Sequence, residues 1–169
     1  MCIRDSQYTH DKSTRLGRAH NALSISQDDI AAYFSIPTGC RVKSSADGPL
    51  NWNYEVYSKA KGLSFGVSLD AITSDYEGYL QGIHDVYDKD VKMLPSESLE
   101  LSDGSKIVPY EYFSPYWGYR LVVKIPKGNF TTTFEFYAQT KSELQKQRKM
   151  IAKITESFRY LELSKFHPL

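Results

Sequence analysis

Three side chains on one predicted helix have the types and spacing of a metal site. His84 and Asp88 lie one helical turn apart, with Asp85 beside His84, and imidazole and carboxylate groups are common ligands of divalent metals. A complete site also needs ligands that converge from a second element, and the sequence indicates none. The simpler interpretation is the polar face of a helix. We therefore expect neither a metal nor a cofactor here.

The sequence has no pattern of a catalytic nucleophile. It lacks a Gly-x-Ser-x-Gly turn, a Gly-rich phosphate loop and a Cys paired with a well-placed His. Cys40 follows a Pro-Thr-Gly turn and is expected to pack as a small apolar side chain rather than to react. Glu97 and Glu100 lie in a strand-like stretch and are expected to face solvent. A glycosidase-like pair would need a cleft and a fixed separation, and the sequence indicates neither. These residues indicate no reaction.

The segment YEYFSPYWGY, residues 110–119, concentrates six aromatic residues around a Ser-Pro-Tyr-Trp-Gly turn. Aromatic side chains on a turn can form a recognition surface. The simpler interpretation is that most of these rings alternate into the core. The candidate binding residues are Trp117, Tyr116, Phe113 and Trp52, with Tyr54 as a further neighbour.

The two residues that bracket the tip of this segment predict which rings stay outside. Pro115 and Gly118 reverse the chain, so not every ring can point inward. We expect Trp117 to be partly exposed, with Tyr116 beside it. Neighbouring strand positions face opposite sides of a sheet. If Tyr110 and Tyr112 face the core with Val108, then Phe113 lies on the other side.

Composition limits the class of protein. The 169 residues are 41% hydrophobic and 24% charged, with 13 Tyr, which fits one globular domain with a bias towards sheet. A formal net charge of +1 argues against a nucleic-acid or membrane-surface protein, because those usually carry a basic excess. No apolar run is long enough to predict a membrane span.

Periodicity and turn residues predict the elements. Residues 31–42 read as two strands around a Pro-Thr-Gly turn, and residues 54–71, 98–113 and 118–138 read as β-hairpins. Amphipathic helices are predicted over 74–91 and 140–158, each opened by a capping box. A short edge strand is expected after Phe158.

The polar face of the second helix carries basic side chains that could dock an acidic partner. A solvated face is the simpler interpretation, since charge opposite an apolar stripe is typical of any surface helix. The residues are Lys141, Lys146, Lys149 and Lys153.

The beginning of the chain is polar and aperiodic. Residues 1–6, MCIRDS, resemble the translated adapter read-through found at the start of some metagenomic reading frames. We expect residues 1–23 to be a disordered or artefactual tail, and residues 24–169 to be a single domain. A signal sequence lost from this end would place the protein in the cell envelope or outside the cell, so localisation stays open.

The order of hairpin, long helix, Ser157-Phe158 and closing strand resembles the PsbP-like family, named for an extrinsic protein of photosystem oxygen evolution. Its fold is shared with a small yeast-type Ran-GTPase release factor. Pro37 and Gly39 match the family's opening Pro-x-Gly-Trp pattern, with Cys40 in place of Trp. The resemblance covers roughly residues 30–163. It implies an α+β fold, a central antiparallel sheet with amphipathic helices packed on its faces as an α/β/α sandwich.

Two classes of function remain open. The resemblance implies a non-enzymatic binding or assembly module that acts through protein partners. The alternative is an enzyme or small-ligand-binding protein with an aromatic cleft near residues 110–119. A deep cavity lined by Tyr and Trp with converging Glu or His would favour the alternative, whereas a filled core with a flat aromatic patch would favour the module.

Overall fold

The computed structural model describes residues 14–44, 53–70 and 90–165. Within these ranges one α-helix is present, α1 (Lys141–Ser157), followed by a short 3-10 helix (Leu163–Lys165). The strands are β1 (Arg15–Ala19), β2 (Ala22–Gln27), β3 (Ile30–Ser35), β4 (Arg41–Ser44), β5 (Tyr54–Ser58), β6 (Leu63–Asp70), β7 (Lys92–Leu94), β8 (Leu99–Glu100), β9 (Lys106–Ile107), β10 (Tyr110–Ser114), β11 (Gly118–Lys127), β12 (Phe130–Ala138) and β13 (Arg159–Glu162).

The strands form two antiparallel sheets and a two-stranded ribbon. The small sheet has the order β1-β2-β3-β13, the large sheet has the order β4-β5-β6-β12-β11-β10-β7, and β8 pairs with β9. Helix α1 contacts β3 of the small sheet and β12 of the large sheet. Both sheets and the helix therefore contribute to one hydrophobic core.

The core is built by alternation along the strands and by one stripe of the helix. In β11, Leu121, Val123 and Ile125 are buried on the same side, because successive strand residues face opposite sides of a sheet. The aromatic layer of β12 comes from Phe134 and Phe136. The stripe of α1 consists of Leu144, Ile151 and Ile154.

Most local predictions are confirmed. The hairpins β5–β6 and β11–β12 form where their turn residues indicate. The hairpin predicted over residues 98–113 is confirmed only as the short ribbon β8–β9, because residues 110–113 belong to β10 and pair with β11 instead. At the start of α1, Thr140 Oγ1 accepts a hydrogen bond from the Glu143 backbone N–H at 3.2 Å, and the Glu143 carboxylate accepts one from the Thr140 N–H at 3.3 Å. This is the predicted capping box. The strand after Phe158 is β13, at the edge of the small sheet.

The predicted N-terminal tail is wrong for residues 14–23. Strand β1 pairs with β2 in the register Leu16↔Ile25, and Leu23 is fully buried. His20, with a φ of 52°, lies in the connecting turn. All five residues of β1 are exposed, so this strand has no apolar alternation to reveal it. Residues 1–13 lie outside the described ranges.

The expected sandwich of helices on both faces of a central sheet is not supported. Instead, two antiparallel sheets share the core with α1. The other predicted helix, residues 74–91, lies almost wholly outside the described ranges. No helix among the described residues is long and apolar enough to cross a membrane.

The junction of α1 and β13 joins the helix to both sheets. Phe158 is only 2% exposed, and its ring centroid lies 5.8 Å from that of Phe134 and 4.9 Å from that of Tyr160, edge-on in both cases. Ser157 Oγ accepts a hydrogen bond from the Ser35 N–H at 2.8 Å and donates one to the Ile154 carbonyl at 2.7 Å. The Ser-Phe pair therefore fixes the end of α1 against β3 and β12.

Tyr160 makes a second connection between the sheets. It lies on β13 of the small sheet, and its hydroxyl donates to the Ile125 carbonyl of β11. The same oxygen accepts from the Thr132 N–H of β12 at 2.9 Å. Burial raises the pKa of the Tyr160 phenol, although its hydrogen bonds with Thr132 lower it in part.

Phe158→Ala should lower the free energy of unfolding by about 3–5 kcal/mol, because it removes a buried ring between the helix and both sheets. Ser157→Ala should cost about 1 kcal/mol, since it removes hydrogen bonds at a half-buried position. Urea unfolding of both variants measures the difference. Equal, small losses would show that the ring does not anchor the junction.

Tyr160→Phe should reduce the amount by which the free energy of unfolding falls at alkaline pH. The pKa of Tyr160 is higher in the folded chain than in the unfolded chain, where it is about 10. The neutral phenol therefore contributes fully to the free energy of unfolding below about pH 10, and this contribution is lost as the pH rises further. At neutral pH the variant should lose about 1–3 kcal/mol, because the buried Thr132 N–H loses its partner.

Urea midpoints of wild type and Tyr160→Phe between about pH 8 and about pH 11 test this difference. Tyr33→Phe, on the neighbouring strand β3, is the control. If wild type and Tyr160→Phe lose stability at the same rate with pH, the phenol is not the titrating group.

Candidate functional site

The aromatic turn, defined here as residues 113–119, joins β10 to β11 at the end of the large sheet. Phe113 pairs with Tyr119, and Ser114 pairs with Gly118, so the tip consists of Pro115, Tyr116 and Trp117. The Tyr116 N–H donates to Ser114 Oγ at 3.2 Å. The Tyr116 side chain is 74% exposed, which makes it the most exposed large apolar side chain among the described residues.

Gly118 fixes the conformation of this turn. Its φ of 74° lies in the left-handed region that favours glycine. A Cβ at this position would lie 2.6 Å from the Ala138 carbonyl oxygen at the end of β12. The turn is therefore held against the residues that precede α1.

The structure describes two of the three other predicted binding residues, Trp117 and Phe113. Trp117 is half-buried, so its expected partial exposure is confirmed. Phe113 is also half-buried, with its ring centroid 4.8 Å from that of Tyr119. Trp52 lies outside the described residues. The binding role of these residues stays a prediction.

Tyr54 does not neighbour the aromatic turn. It lies on β5, and three strands separate β5 from β10 in the large sheet, which corresponds to about 19 Å at the usual strand spacing. Tyr54 packs against the core, and its hydroxyl donates to the Thr14 carbonyl at 3.3 Å. The prediction that Tyr54 lies near the aromatic turn is wrong, because the position of β5 in the sheet depends on long-range strand order.

The prediction of which β10 side chains face the core is also wrong. Val108 is 62% exposed, and Tyr112, although only 1% exposed, lies outside the main core cluster. Glu111 pairs with Leu121, and directly opposed residues share a face. Because Leu121 faces the core, Glu111 lies on the core side and Tyr112 on the outer face.

Glu111 and Arg148 form an ion pair that attaches α1 to β10 of the large sheet. The Glu111 side chain is almost fully buried, and its two oxygens lie 2.9 and 2.7 Å from Arg148 Nη2. A buried carboxylate needs such a partner. Sequence reasoning missed this pair, because Glu111 stands among aromatic residues and nothing local to it indicates a partner on α1.

A polar network covers part of the outer face of the large sheet. The Tyr137 hydroxyl donates to Glu55 at 3.0 Å and accepts from Ser64, and Arg120 stacks over the Tyr137 ring with its guanidinium carbon 5.0 Å from the centroid. Burial raises the pKa of Tyr137, so this phenol remains a neutral hydrogen-bond donor. Glu135 lies 3.8 Å from Arg120.

This network neutralises its own charges. Lys43 pairs with Glu55 at 3.2 Å, and Arg120 pairs with Glu135. Alternating polar residues on β5, β11 and β12 indicate that one face is polar, but only the strand register shows that they converge. The arrangement holds neighbouring strands together, and both of its carboxylates are already paired with cationic side chains.

The other residues that the sequence analysis considered for catalysis or metal binding are Cys40, the pair of Glu97 and Glu100, and the His84 cluster. Cys40 is buried in the core cluster, and burial raises the pKa of its thiol although Lys61 and Arg18 partly oppose this, so the expected packing role is confirmed. Glu97 and Glu100 are exposed, as expected. His84, Asp85 and Asp88 lie outside the described residues, so the metal-site hypothesis there is untested. Among the described residues there is no group of three metal-ligating side chains.

Two pockets formed by described residues lie beside α1. One, of about 160 Å³, opens next to the Glu111–Arg148 pair. The other, of about 300 Å³, lies near the end of the helix. Neither pocket has Tyr or Trp in its lining, which does not fit an aromatic cleft.

The fold is that of PsbP-like proteins. A similar solved structure is the solution structure of cyanobacterial PsbP (CyanoP) from Synechocystis sp. PCC 6803, with a TM-score of 0.52 and 9% sequence identity. The match covers 94% of this chain and 99% of that chain, and at this identity it shows the fold alone. No protein-family model matches the sequence, and no curated protein matches it.

Gly118→Ala should destabilise the protein by about 2–4 kcal/mol, because it adds a steric conflict with the Ala138 carbonyl to the strain of a positive φ. Gly128→Ala is the matched control. Gly128 has a φ of 58°, and a Cβ there would meet nothing within 4 Å, so about 1–2 kcal/mol is expected. Urea unfolding compares the two. Equal losses would show that the Ala138 contact does not hold the turn.

Proposed function

We propose that this chain is a non-enzymatic binding or assembly module that acts through a protein partner. The proposed contact surface is the aromatic turn, with Tyr116 and Trp117 at its tip and Phe113 at its base. The observation that carries the proposal is the exposed Tyr116 ring on a turn fixed by Gly118.

The physics of binding favours such a surface. Tyr and Trp are enriched among residues that dominate binding energy, because they offer a large contact area with few rotatable bonds. The hydrogen bond from the Tyr116 N–H to Ser114 Oγ and the close approach of Gly118 to the end of β12 restrict the conformations of the aromatic turn before a partner binds. A surface that is already ordered loses less conformational entropy when a partner binds.

The alternative of an enzyme or small-ligand protein has less support. A small-molecule site is usually an enclosed apolar cavity with a few converging polar groups. The pocket beside the Glu111–Arg148 pair is small, at about 160 Å³, and its buried carboxylate is already paired with Arg148. The PsbP-like fold agrees with the module, although a fold alone does not fix a function.

Tyr116→Ala should weaken partner binding at least about tenfold while leaving the unfolding midpoint nearly unchanged, because an exposed ring contributes little to the folded state. Peptides selected from a phage-displayed random library on the wild-type protein serve as probes. Their affinities for wild type and variants are measured by fluorescence anisotropy.

Val108→Ala is the control. It truncates an exposed apolar residue at the opposite end of β10 and should leave binding unchanged. A panel of selected peptides that binds Tyr116→Ala as tightly as wild type would contradict the aromatic turn as the contact surface.

A further inference from the structure

A second surface, on the far half of α1, has the features of a docking groove. It lies between α1, the turn joining β5 to β6 and the connection from β3 to β4, with a volume of about 300 Å³. Its floor is formed by the buried side chains of Ile36 and Ile154, and its walls include the half-buried Met150 and Pro37. The inner surface is therefore apolar.

Lysines surround this apolar floor. Lys61 of the β5–β6 turn and Lys153 of α1 both line the groove. Lys59, Lys146 and Lys149 are exposed on the same two elements. We name this surface the lysine-flanked groove.

These ammonium groups have no ion-pair partner among the residues that the structure describes. Within the described ranges, the ion pairs use Lys43, Arg120, Arg148 and Lys165, and none of the five lysines at the groove takes part in one. Glu156 lies one helical turn from Lys153 but forms no ion pair with it. Because the whole chain has a formal net charge of only +1, this basic cluster is a local excess.

Hydrogen bonds hold the walls of the groove in place. Gln147 Nε2 donates to the Gly62 carbonyl at 2.7 Å and attaches the β5–β6 turn to α1. Ser157 Oγ accepts from the Ser35 N–H and fixes the end of β3 to the helix. The Cys40 N–H donates to the Pro37 carbonyl at 3.3 Å and closes the turn between β3 and β4. The groove is thus preformed.

We propose that the lysine-flanked groove binds an acidic peptide segment of a partner protein. One apolar side chain of the segment packs on Ile36, Met150 and Ile154, while flanking carboxylates pair with Lys61 and Lys153. Apolar contact supplies affinity, and charge complementarity on the rim supplies specificity and a fast association rate. Met150 suits such a surface because an unbranched thioether adapts to different apolar side chains.

The shape and chemistry of the groove favour a peptide over a small molecule. Small-molecule sites are enclosed and contain polar groups that orient the ligand. Here the charged groups are on the exposed rim, and the nearby Ser35 N–H is already bonded to Ser157. An open apolar floor with a cationic rim fits a side chain presented by an extended or helical segment.

The groove is separate from the aromatic turn. The turn contacts Ala138 and Gln139, just before α1 begins, whereas the groove starts at Met150. At 1.5 Å per helical residue the two surfaces lie about 15–20 Å apart along the helix axis. Loss of binding at one surface can therefore be distinguished from loss at the other.

The probe is a fluorescein-labelled decapeptide with a central Leu-Phe pair and acidic residues on both sides. Two comparison peptides replace the Leu-Phe pair by Ser-Ser, or the acidic residues by their amides. Fluorescence anisotropy with the full chain gives the affinities, and backbone amide chemical shifts locate the site. We expect the probe to bind, with both comparison peptides at least about tenfold weaker.

The double variant Lys61→Glu/Lys153→Glu should weaken probe binding at least about tenfold, because it reverses the rim charges. The control Lys92→Glu/Lys127→Glu makes the same change in net charge on other exposed lysines and should have little effect. Met150→Gln keeps the length of the side chain but makes it polar, and should weaken binding about fivefold. Thermal unfolding confirms that each variant is folded.

Four results would overturn the proposal. The first is no binding of the probe to the wild-type protein. The second is an equal loss in both double variants, which would mean attraction by net charge alone. The third is a loss caused by Tyr116→Ala instead, which would place the peptide on the aromatic turn and leave the proposed function intact. The fourth is binding to phosphatidylserine vesicles, sensitive to Lys61→Glu/Lys153→Glu, with no binding of the probe.

Discussion

The packing of Phe158 between α1, β12 and β13 is the contact on which the architecture depends. The chain leaves a helix and enters a strand at this residue, which is already extended at a φ of −69° and a ψ of 134°. Burying the ring at this point fixes the angle between the helix and the following strand. Because β13 then pairs with β3, the same contact positions the small sheet over the large one.

Sequence reasoning predicted this junction because its signals are local. A capping box, an apolar stripe and a Ser-Phe pair all lie within residues 140–158, and each hairpin is indicated by a turn flanked by alternating residues. The division into two sheets has no local signal. β3 and β4 flank one Pro-Thr-Gly turn, yet β3 belongs to the small sheet and β4 to the large one.

The same limit explains which parts of the candidate site were foreseen. The exposed tip of the aromatic turn follows from Pro115 and Gly118, which act on their immediate neighbours. The position of Tyr54 and the Glu111–Arg148 pair depends on strand order and on which side of the large sheet faces α1. Periodicity shows that a strand has two different faces, but a strand with aromatic residues on both faces, such as β10, does not indicate which face is the core.

Helix α1 supports both proposed surfaces, one near each end. Gly118 packs against the residues just before its capping box, and Ser157 fixes its last turn to β3 beside the lysine-flanked groove. Between them, Glu111 pairs with Arg148 and Gly62 accepts from Gln147, so the helix is attached to the large sheet along its length. Bending of α1 would break these bonds. The distance between the two surfaces is therefore fixed by the fold, and a partner that contacts both must match that spacing.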